Sequence, residues 1–381
     1  MQLNGKIEVN LRNALNAISV MVNEGNVART KGFLGLFCDM RLFYNKYWEI
    51  NTDWAYGELL AILKDPAELV DAAAMDAECR SLGEAALKFS EAATFLNHES
   101  HNNILTASYY RKCGNIGKAR EICRAIEFKQ PGNQDALSEW FMCDVAERFW
   151  PLDYYDMFAE IHKKWPPNVY IEIGVATGKS LALTRSGTRS LGIDPATAEE
   201  GLLCFKSPEN NPQLYKMTSD DFFSSKDVRK EMGQSHFDVA FIDGLHHFDQ
   251  VLRDFINLEK IANKDSVILV HDCLPINGQV ATRERTTAFW TGDVWKLIPC
   301  LLTVRPDLEI ITLPVAPSGV ALIRSLDPSS RMLERQYDAI VKHFDAFHLP
   351  DDWSDCCSML NVFTEQSGFD LVDYMPSGGW K

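Results

Sequence analysis

The sequence predicts an α/β protein, with a doubly wound parallel sheet in its C-terminal half and a separate all-α domain before it. In the C-terminal half, short apolar runs alternate with amphipathic helical stripes, the rhythm of a parallel sheet with helical crossovers. In the N-terminal half, apolar residues recur at intervals of three and four, as in consecutive helices. A chain of 381 residues is long enough for two such domains.

Composition narrows the functional class. The 46% hydrophobic and 24% charged fractions are those of a globular protein, and the formal net charge of −15 disfavours a nucleic-acid partner. No apolar run has the length of a membrane helix, and the first residues lack the pattern of a signal peptide. Ten cysteines are scattered without a CxxC pair, which favours reduced thiols. We therefore expect a cytoplasmic protein with no membrane partner.

The N-terminal region, residues 1–150, is expected to be all-helical. Its first stripe is Leu11, Ala14, Leu15, Ile18 and Val22, and a later helix should open at Asp65-Pro66, a good cap followed by a first-turn proline. Residues 103–133 resemble a tetratricopeptide repeat in the spacing of small and aromatic residues and in the closing Pro131. This segment is either one degenerate repeat in a helical domain or part of an array. It would serve self-association, making a homo-oligomer, or grip a partner protein.

Proline-bounded residues 151–167 form the predicted connector, with a helix over 152–163. The second domain is expected over 168–326, followed by a C-terminal helical extension over 327–381. Near-continuous apolar runs predict buried parallel strands, because a parallel sheet is covered on both faces. The predicted strands are Val169–Gly174, Ser190–Asp194, Leu214–Thr218, Phe237–Asp243 and Ser266–His271, followed by a hairpin of Leu308–Pro314 and Gly319–Ser325 at the sheet edge.

The turn after the first strand is the expected ligand site, because ligands of open parallel sheets bind beyond the carboxyl ends of the strands. Gly174 and Gly178 bracket this turn, and a helix should follow it. The turn is one residue too short for a Walker loop, and Ala176 and Lys179 break the dinucleotide pattern G-x-G-x-x-G. Glu172 in the strand and Asp194 at the end of the next strand instead favour a ligand with a ribose and a cationic amino-acid moiety.

Five segments, in order, resemble the successive motifs of class I S-adenosylmethionine-dependent methyltransferases, and most closely those that modify sugars and other small molecules in biosynthesis. The segments are Glu172-Ile-Gly-Val-Ala-Thr-Gly-Lys-Ser180, Gly192-Ile-Asp194, Thr218-Ser-Asp-Asp-Phe-Phe223, Phe241-Ile-Asp-Gly-Leu-His246 and Val270-His-Asp272. The resemblance covers about residues 168–326. It implies a seven-stranded Rossmann-like sheet with a terminal antiparallel strand, and S-adenosylmethionine as cofactor.

The resemblance also implies roles for individual residues. Those expected at the cofactor are Glu172, Gly174, Ala176, Thr177, Gly178 and Ser180 in the first strand and loop, Asp194 at the ribose, Ser219 and Asp220 at the adenine, and Asp243 beside the methionine. Lys179 and Ser180 are expected to occupy the first turn of the following helix.

Three histidines at the same sheet edge are candidates for a general base. Methyl transfer to oxygen is an in-line displacement that often needs a proton acceptor, and histidine titrates near neutral pH. His246 and His247 follow the fourth strand, and His271 ends the fifth. Structural roles remain open for each of them, as a helix cap or a backbone contact.

A divalent cation is a further expectation at this edge. Asp243 and Asp272 are the candidate ligands, joined in a wider set by His246 and His271. Oxygen ligands favour Mg²⁺, whereas an imidazole-rich set suits a transition metal. The magnesium pattern of related enzymes has a second acid next to the position of Asp272, and here the neighbours are His271 and Cys273.

A long segment, residues 275–299, contains Arg283, Arg285, Trp290 and Trp295. It would either contact a sugar or aromatic acceptor or simply pack against the fold.

The predicted activity is O-methylation of a small molecule with a histidine base. The alternative is a non-catalytic scaffold in which a methyltransferase-like fold binds the cofactor as a structural element.

Overall fold

A computed structural model describes residues 99–196, 211–366 and 369–376, together with individual positions between 8 and 59. The chain divides into two compact units, Met1–Cys143 with Glu199–Pro208 and Asp144–Ala198 with Glu209–Lys381. No helix in the described part of the chain has the length and apolarity needed to cross a membrane. Leu11, Leu15 and Ile18 are helical and buried, and the helix predicted from Asp65-Pro66 lies outside the described residues.

Within the described range 99–148, three helices follow one another: α1 (Glu99–Lys112), α2 (Ile116–Lys129) and α3 (Gln134–Arg148). Small residues let α1 and α2 pack closely, with Ala107 and Ala119 buried between them. The turn that joins them uses Gly114 at φ +80° and an Asn115 cap on the amide of Lys118. A helix pair therefore occupies the segment 103–133. Its identity as a tetratricopeptide repeat stays a prediction.

The main sheet has seven strands: β2 (Val169–Ile173), β3 (Arg189–Ile193), β4 (Gln213–Tyr215), β5 (Val239–Ile242), β6 (Val267–His271), β7 (Glu309–Leu313) and β9 (Val320–Arg324). Their order across the sheet is β4-β3-β2-β5-β6-β9-β7. The first five in this order run parallel, whereas β9 pairs antiparallel with both β6 and β7. The mainly parallel sheet and the edge hairpin are confirmed, and the central strands β2, β5 and β6 are buried at every residue.

Helices cover the sheet and follow it. They are α4 (Tyr154–Lys164), α5 (Ser219–Ser225), α6 (Val228–Met232), α7 (Phe248–Glu259) and α8 (Leu297–Val304), then α9 (Met332–Arg335), α10 (Tyr337–Asp345) and α11 (Trp353–Met359). The stripe on α7 buries Val251, Leu252 and Phe255, because apolar side chains three and four residues apart share one helix face. The helix predicted from Arg331 to Phe347 is interrupted at Gln336, where φ is −111°.

A two-stranded ribbon lies beside the main sheet. Strand β1 (Trp150–Asp153) pairs in parallel with β8 (Val315–Ala316), and the Trp150 amide donates to the carbonyl of Pro314 at 2.8 Å. Asp153 ends β1 and caps α4 by accepting from the amide of Asp156. The predicted connector thus contains a strand as well as its helix.

One prediction about the crossover after β2 is wrong. The expected helix is reduced to a single 3-10 turn, Leu181–Leu183. The turn ends at Thr184, whose hydroxyl donates to the Leu181 carbonyl and whose backbone is extended, with Gly187 at φ +93° soon after. Ser180 is consequently not a position in the first turn of an α-helix; it precedes this short turn without a capping bond, and its hydroxyl donates inward to Glu172.

Candidate active site

The carboxyl ends of the parallel strands enclose a cleft of about 350 Å³. It lies where the strand order reverses between β2 and β5, the position at which open α/β sheets bind ligands. The lining residues come from the ends of β2, β3 and β5 and from the starts of α5 and α7. They include Gly174, Ala176, Asp194, Pro195, Thr218, Ser219, Asp243, Leu245, His246, Gln250 and Asp254.

The glycine loop is held against the neighbouring strand end. Gly174 has φ +87°, and a Cβ there would lie 1.9 Å from the carbonyl oxygen of Asp243, so only glycine fits. Gly178 at φ +81° closes the turn with a hydrogen bond from its amide to the Val175 carbonyl at 2.7 Å. Ala176 has φ +45°, a strained conformation for a residue with a Cβ. The contact with the end of β5 therefore fixes the shape of the loop that borders the cleft.

Asp194 fastens the loop from the adjacent strand. Its Oδ2 accepts from the amides of Val175 at 2.9 Å and Ala176 at 2.8 Å, and its Oδ1 accepts from Ala196 at 2.7 Å. These three bonds hold the carboxylate at the end of β3, where the residue lines the cleft. Its predicted contact with a ribose therefore stays a prediction that the geometry allows.

Glu172 lies beneath the loop and has no exposed surface. Tyr170 donates to its Oε2 and Ser180 to its Oε1, both at 2.7 Å. Burial raises the pKa of Glu172 to about 8, against the opposing effect of these two hydrogen bonds. The side chain supports the loop from below and does not line the cleft. Thr177 and Gly178 likewise do not line it, and Thr177 is exposed.

Four side chains from two strand ends form an acid-base cluster at the edge of the cleft. Asp243 follows β5, His271 ends β6 and Asp272 comes next, while His246 lies between β5 and α7. His271 Nδ1 is 3.1 Å from Asp243 Oδ1, and His246 Nδ1 is 2.7 Å from Asp272 Oδ2. The sequence prediction that these residues converge is met by the geometry, and their catalytic and metal roles stay predictions.

His271 has both ring nitrogens engaged. Nδ1 faces Asp243, and Nε2 is 3.2 Å from the Ser318 hydroxyl. The Tyr154 ring packs against the imidazole with a centroid separation of 4.4 Å. Burial lowers the pKa of His271, but Asp272 and Asp243 outweigh burial and raise it to about 9. This histidine is fixed in place and has no free nitrogen for an acceptor.

His246 is held in a strained and less complete arrangement. Its φ is +60°. Its carbonyl oxygen packs so closely against Gly292 that a Cβ on Gly292 would lie 1.9 Å from that oxygen. Although Nδ1 is 2.7 Å from Asp272, the N–H direction does not satisfy a hydrogen bond, and Nε2 is 3.7 Å from Asp243. Burial lowers the pKa of His246, and Asp272 and Asp243 raise it above its ordinary value.

The cluster also fits a divalent cation. Asp243, His246 and Asp272 each offer a ligand atom, and these atoms lie within 4.8 Å of one another. The buried Nδ1 of His246, aimed at Asp272 without a proper hydrogen bond, is the arrangement expected where both atoms converge on an ion. Asp272, also at positive φ (+59°), is almost fully buried. His246 thus joins Asp243 and Asp272 as a candidate ligand.

Other predicted residues lie apart from the cluster. His247 immediately precedes α7 and makes no capping bond with its side chain, and its ring meets Trp290 edge-on at 6.3 Å. Trp290 stacks on His246 at 5.3 Å with an interplanar angle of 12°, and its Nε1 donates to the Thr282 carbonyl. Arg285 lies 5.9 Å from the centre of the Trp290 ring. These aromatic contacts favour packing around His246 over direct stacking on an acceptor.

Several site residues were not identified from the sequence. Tyr154 and Ser318 contact His271 from α4 and from the turn after β8, and Gln250 and Asp254 line the cleft from α7. The spacing of Gln250 and Asp254, four residues apart on a helix that directly follows a site strand, was the available signal. For Tyr154 and Ser318 no such signal exists, because the ribbon that positions them joins segments far apart in sequence.

Comparisons with known proteins give one family match and several structural likenesses. Residues 171–273 match the family model described as a methyltransferase domain. A search of curated protein sequences finds no relative of this chain. Among solved structures, the chain is similar to an O-methyltransferase from Bacillus cereus in complex with SAH, at 14% identity over 54% of this chain and 97% of that chain, with a TM-score of 0.35.

Two further solved structures give similar values. The O-methyltransferase TomG from Streptomyces achromogenes, in complex with SAM, is 15% identical over 54% of this chain and 96% of that chain, with a TM-score of 0.33. The SAH-bound methyltransferase PaMTH1 from Podospora anserina is 17% identical over 55% and 96%, with a TM-score of 0.37. Residues 171–273, which hold the glycine loop, Asp194 and the acid-base cluster, match a methyltransferase domain.

Proposed function

We propose that the protein is an S-adenosylmethionine-dependent methyltransferase that methylates an oxygen of a small molecule, such as a sugar or a natural-product intermediate. The observation that carries this proposal is that one sheet edge brings together a glycine-lined cleft and an acid-base cluster. The glycine-lined cleft alone would also suit a non-catalytic scaffold that binds the cofactor as a structural element. The adjoining strained His246, with Asp243 and Asp272, favours an enzyme.

The residues of the cleft would bind the cofactor in parts. The glycine loop lines the cleft with Gly174 and Ala176, and Asp194 at the end of β3 would bind the ribose hydroxyls. Asp243 borders the cleft with a carboxylate that would attract a cationic sulfonium or amino group. When bound, S-adenosylmethionine supplies a methyl group on a positively charged sulfur. Transfer of the methyl group leaves that sulfur as a neutral thioether.

His246 is the better candidate for the base. His271 is engaged at both nitrogens, whereas Nε2 of His246 is 3.7 Å from its nearest acid and the ring borders the cleft. His246 would accept the proton of the acceptor hydroxyl as the new oxygen–methyl bond forms and the sulfur–methyl bond breaks. Asp272 and Trp290 would hold the imidazole in position.

A divalent cation at Asp243, His246 and Asp272 would provide a second way to activate the hydroxyl. A cation lowers the pKa of a bound hydroxyl and orients it, so the proton would leave without a free imidazole. The nitrogen ligand favours a transition metal such as Mn²⁺ over Mg²⁺. In the first mechanism His246 accepts the proton, and in the second it is a metal ligand. Both mechanisms use the same cleft.

Calorimetry tests the cofactor. Purified protein is expected to bind S-adenosylhomocysteine, and Gly174→Ala should abolish binding because its Cβ would meet the Asp243 carbonyl. Gly187→Ala, at an open position with nothing within 4 Å, is the matched control and should bind normally. Absence of binding by the wild-type protein would exclude the proposed function.

Mutation of the cluster tests the chemistry. His246→Gln should lower turnover about 10²- to 10⁴-fold, the range of a lost general base, while cofactor affinity stays within a few-fold. The measurement is release of S-adenosylhomocysteine with a panel of hydroxylated acceptors. Titration with Mn²⁺ then separates the two versions: heat of binding that is lost in Asp272→Asn supports a metal site, and no heat supports the free imidazole. Unchanged turnover in His246→Gln would exclude both.

A further inference from the structure

The backbone that carries His246 is bonded to Asp293, a residue to which the function proposed above gives no role. The amide of Asp293 donates to the His246 carbonyl at 3.2 Å. Its carboxylate oxygen Oδ1 accepts from the amide of Phe248 at 2.8 Å, across a separation of 45 residues in the sequence. One residue therefore bonds to the main chain on both sides of His247.

The bond to Phe248 supplies a helix cap that the local sequence does not provide. Phe248 is the first residue of α7, and the first amides of a helix have no partner within it. His247 occupies the capping position with an extended backbone, but its side chain makes no capping bond. Asp293 supplies the acceptor from outside the helix. The direction in which the chain leaves His246 and enters α7 thus depends on Asp293.

The segment that ends at Asp293 also holds the strained backbone of His246. A histidine at φ +60° persists only where the surrounding structure imposes that conformation. Gly292 packs against the His246 carbonyl with no room for a Cβ, and Trp290 stacks on the imidazole at 5.3 Å. Asp293 adds the hydrogen bond to the same carbonyl. One short segment, residues 290–293, therefore contacts both the ring and the backbone of His246.

Asp293 is itself held in place, and only 2% of its surface is exposed. It precedes a 3-10 turn, Val294–Lys296, but makes no capping bond there with its side chain. Lys296 Nζ lies 3.4 Å from Asp293 Oδ2 and donates to the carbonyl of Asp345 at 3.0 Å. Arg283 lies 3.8 Å from the same Oδ2. Each oxygen of the buried carboxylate thus has its own partner, and these partners fix the orientation of the side chain.

A helix cap alone would explain the bond to Phe248, because caps stabilise proteins at many places without any effect on chemistry. The bond from the Asp293 amide to the strained His246 is not part of a cap. The two bonds flank the peptide units that join His246 to α7, and the His246 ring lines the cleft with its Nδ1 2.7 Å from Asp272. A change in this backbone would therefore move the ring.

We propose that Asp293 is a positioning residue for His246: its two bonds hold the strained backbone and thereby place the imidazole at the cleft and beside Asp272. This inference rests on the proposed function, because it takes His246 to act on the acceptor hydroxyl, as base or as metal ligand. A misplacement of about 1 Å can lower a rate about 10²-fold. Loss of the Asp293 carboxylate should therefore reduce turnover and leave cofactor binding intact.

Nuclear magnetic resonance reports the position of the His246 ring without any acceptor. In protein with isotope-labelled histidine, the ring signals of His246 are those absent from His246→Gln. Stacking on Trp290 should shift these signals upfield, because the imidazole lies over the face of the indole ring. Asp293→Ala is expected to move them toward the position of an unstacked imidazole. Asp293→Asn keeps an oxygen for the Phe248 amide and should retain the wild-type signals.

Turnover and affinity measure the consequence for the reaction. Asp293→Ala should lower the turnover number about 10- to 100-fold, while the affinity for S-adenosylhomocysteine stays within a few-fold of the wild type. Asp293→Asn should keep most of the turnover, although it removes the carboxylate beside the buried Lys296 and should be less stable. The Asn variant therefore separates the position of His246 from the stability of the protein.

Two further variants serve as controls. Asp352→Ala removes a similar cap from α11, where the carboxylate accepts from the amide of Ser354 at 2.8 Å, away from the lining of the cleft. It should lose stability and keep both the His246 signals and the turnover. If Asp293→Ala does not fold, Asp293→Leu combined with Lys296→Met removes the acceptor and its buried cation together, a replacement that is often neutral for stability. The same change in the signals is expected there.

The outcomes separate this inference from the proposed function. His246 signals that stay at the wild-type position in the variants without the acceptor overturn the role of Asp293 and leave the methyltransferase proposal standing. Moved signals with unchanged turnover also overturn that role. Moved signals with lower turnover and retained cofactor binding support it. If the wild-type protein does not bind S-adenosylhomocysteine, the proposed function fails, and the role of Asp293 in the reaction fails with it.

Discussion

Two buried clusters of charge in this protein are built in opposite ways. At the end of α7, Arg305 donates to Glu259 Oε2 at 2.7 Å and to Asp307 Oδ2 at 2.7 Å, while the other oxygen of Glu259 accepts the amide of Asp327. At the carboxyl edge of the sheet, His246 meets Asp272 in a bent geometry and both residues have positive φ. The first cluster is satisfied, whereas the second is incomplete and strained.

The Arg305–Glu259 cluster therefore stabilises the fold, whereas the His246–Asp272 cluster is held in place by the fold. Strained backbone and incompletely paired ionisable groups persist only where surrounding structure imposes them, and they concentrate at functional sites. Ala176 is a third non-glycine residue with positive φ at the same edge. The four predictions below test whether stability belongs to the first cluster and strain to the second.

The largest expected effect is at the satisfied cluster. Arg305→Met should lower the free energy of unfolding by about 3 to 5 kcal/mol, because it leaves Glu259 buried without its cation. Urea unfolding at neutral pH measures the change. The affinity for S-adenosylhomocysteine should remain that of the wild type in the folded fraction. A loss below about 1 kcal/mol would mean that Glu259 does not depend on Arg305.

The next effect concerns Glu172 and pH. Its folded pKa of about 8 lies above the ordinary value of 4.5, so the folded protein binds the proton more tightly. Its contribution to stability is therefore fully present below pH 4.5 and is lost as pH rises through about 8. Glu172→Gln, which cannot ionise, should equal the wild type near pH 4.5 and exceed it at pH 8.5 by on the order of 3 kcal/mol.

Glu309→Gln provides a control of opposite sign. The hydrogen bond from Arg324 holds the pKa of Glu309 below its ordinary value, so its contribution is present above that value and is lost as pH falls. This variant should gain no stability at pH 8.5. The measurement is urea unfolding across pH, and an equal response of the two variants would contradict the assignment of the effect to Glu172.

A smaller effect is expected from the loop behind His246. Gly292→Ala should cost about 2 kcal/mol, because the new Cβ would lie 1.9 Å from the His246 carbonyl and the backbone has φ +68°. Gly187→Ala has a similar φ of +93° but nothing within 4 Å, so it isolates the backbone strain. Unfolding curves should rank Gly292→Ala below Gly187→Ala. Equal stability would mean that His246 can move away freely.

The smallest effect is expected next to Glu259 in sequence. Lys260 pairs with Glu334 at 2.8 Å on the surface, with side chains that are about one third and one half exposed. Lys260→Met should lower the free energy of unfolding by less than about 1 kcal/mol, because solvent replaces the ion pair. Urea unfolding beside Arg305→Met measures the contrast. Similar losses in both variants would remove the distinction between buried and surface pairs.

Much of the sheet could be predicted from the sequence because buried parallel strands read as apolar runs. The five parallel strands and the edge hairpin occur close to where the runs predict them. The helix after the glycine loop could not be judged correctly, since its loss depends on Ser180 bonding to Glu172 and on the break near Gly187. Such contacts lie between side chains and leave no periodic signal.

The candidate site was predictable to the level of strand ends. Residues that end parallel strands meet at one edge, which is why Asp243, His246 and Asp272 converge. Their individual roles were not predictable, because His246 and His271 differ only in what surrounds them. Ser318 occupies one nitrogen of His271, and Trp290 covers the ring of His246. Both partners lie far from the motifs in the sequence.

The small ribbon of β1 and β8 has a mechanical consequence for His271. The β1 strand leads directly into Tyr154, whose ring lies on the imidazole, and β8 leads into Ser318, whose hydroxyl meets Nε2. Both strands thus lead into residues that contact the same imidazole ring. The pairing of β1 with β8 therefore fixes, through two contacts on His271, the residue that bonds to Asp243.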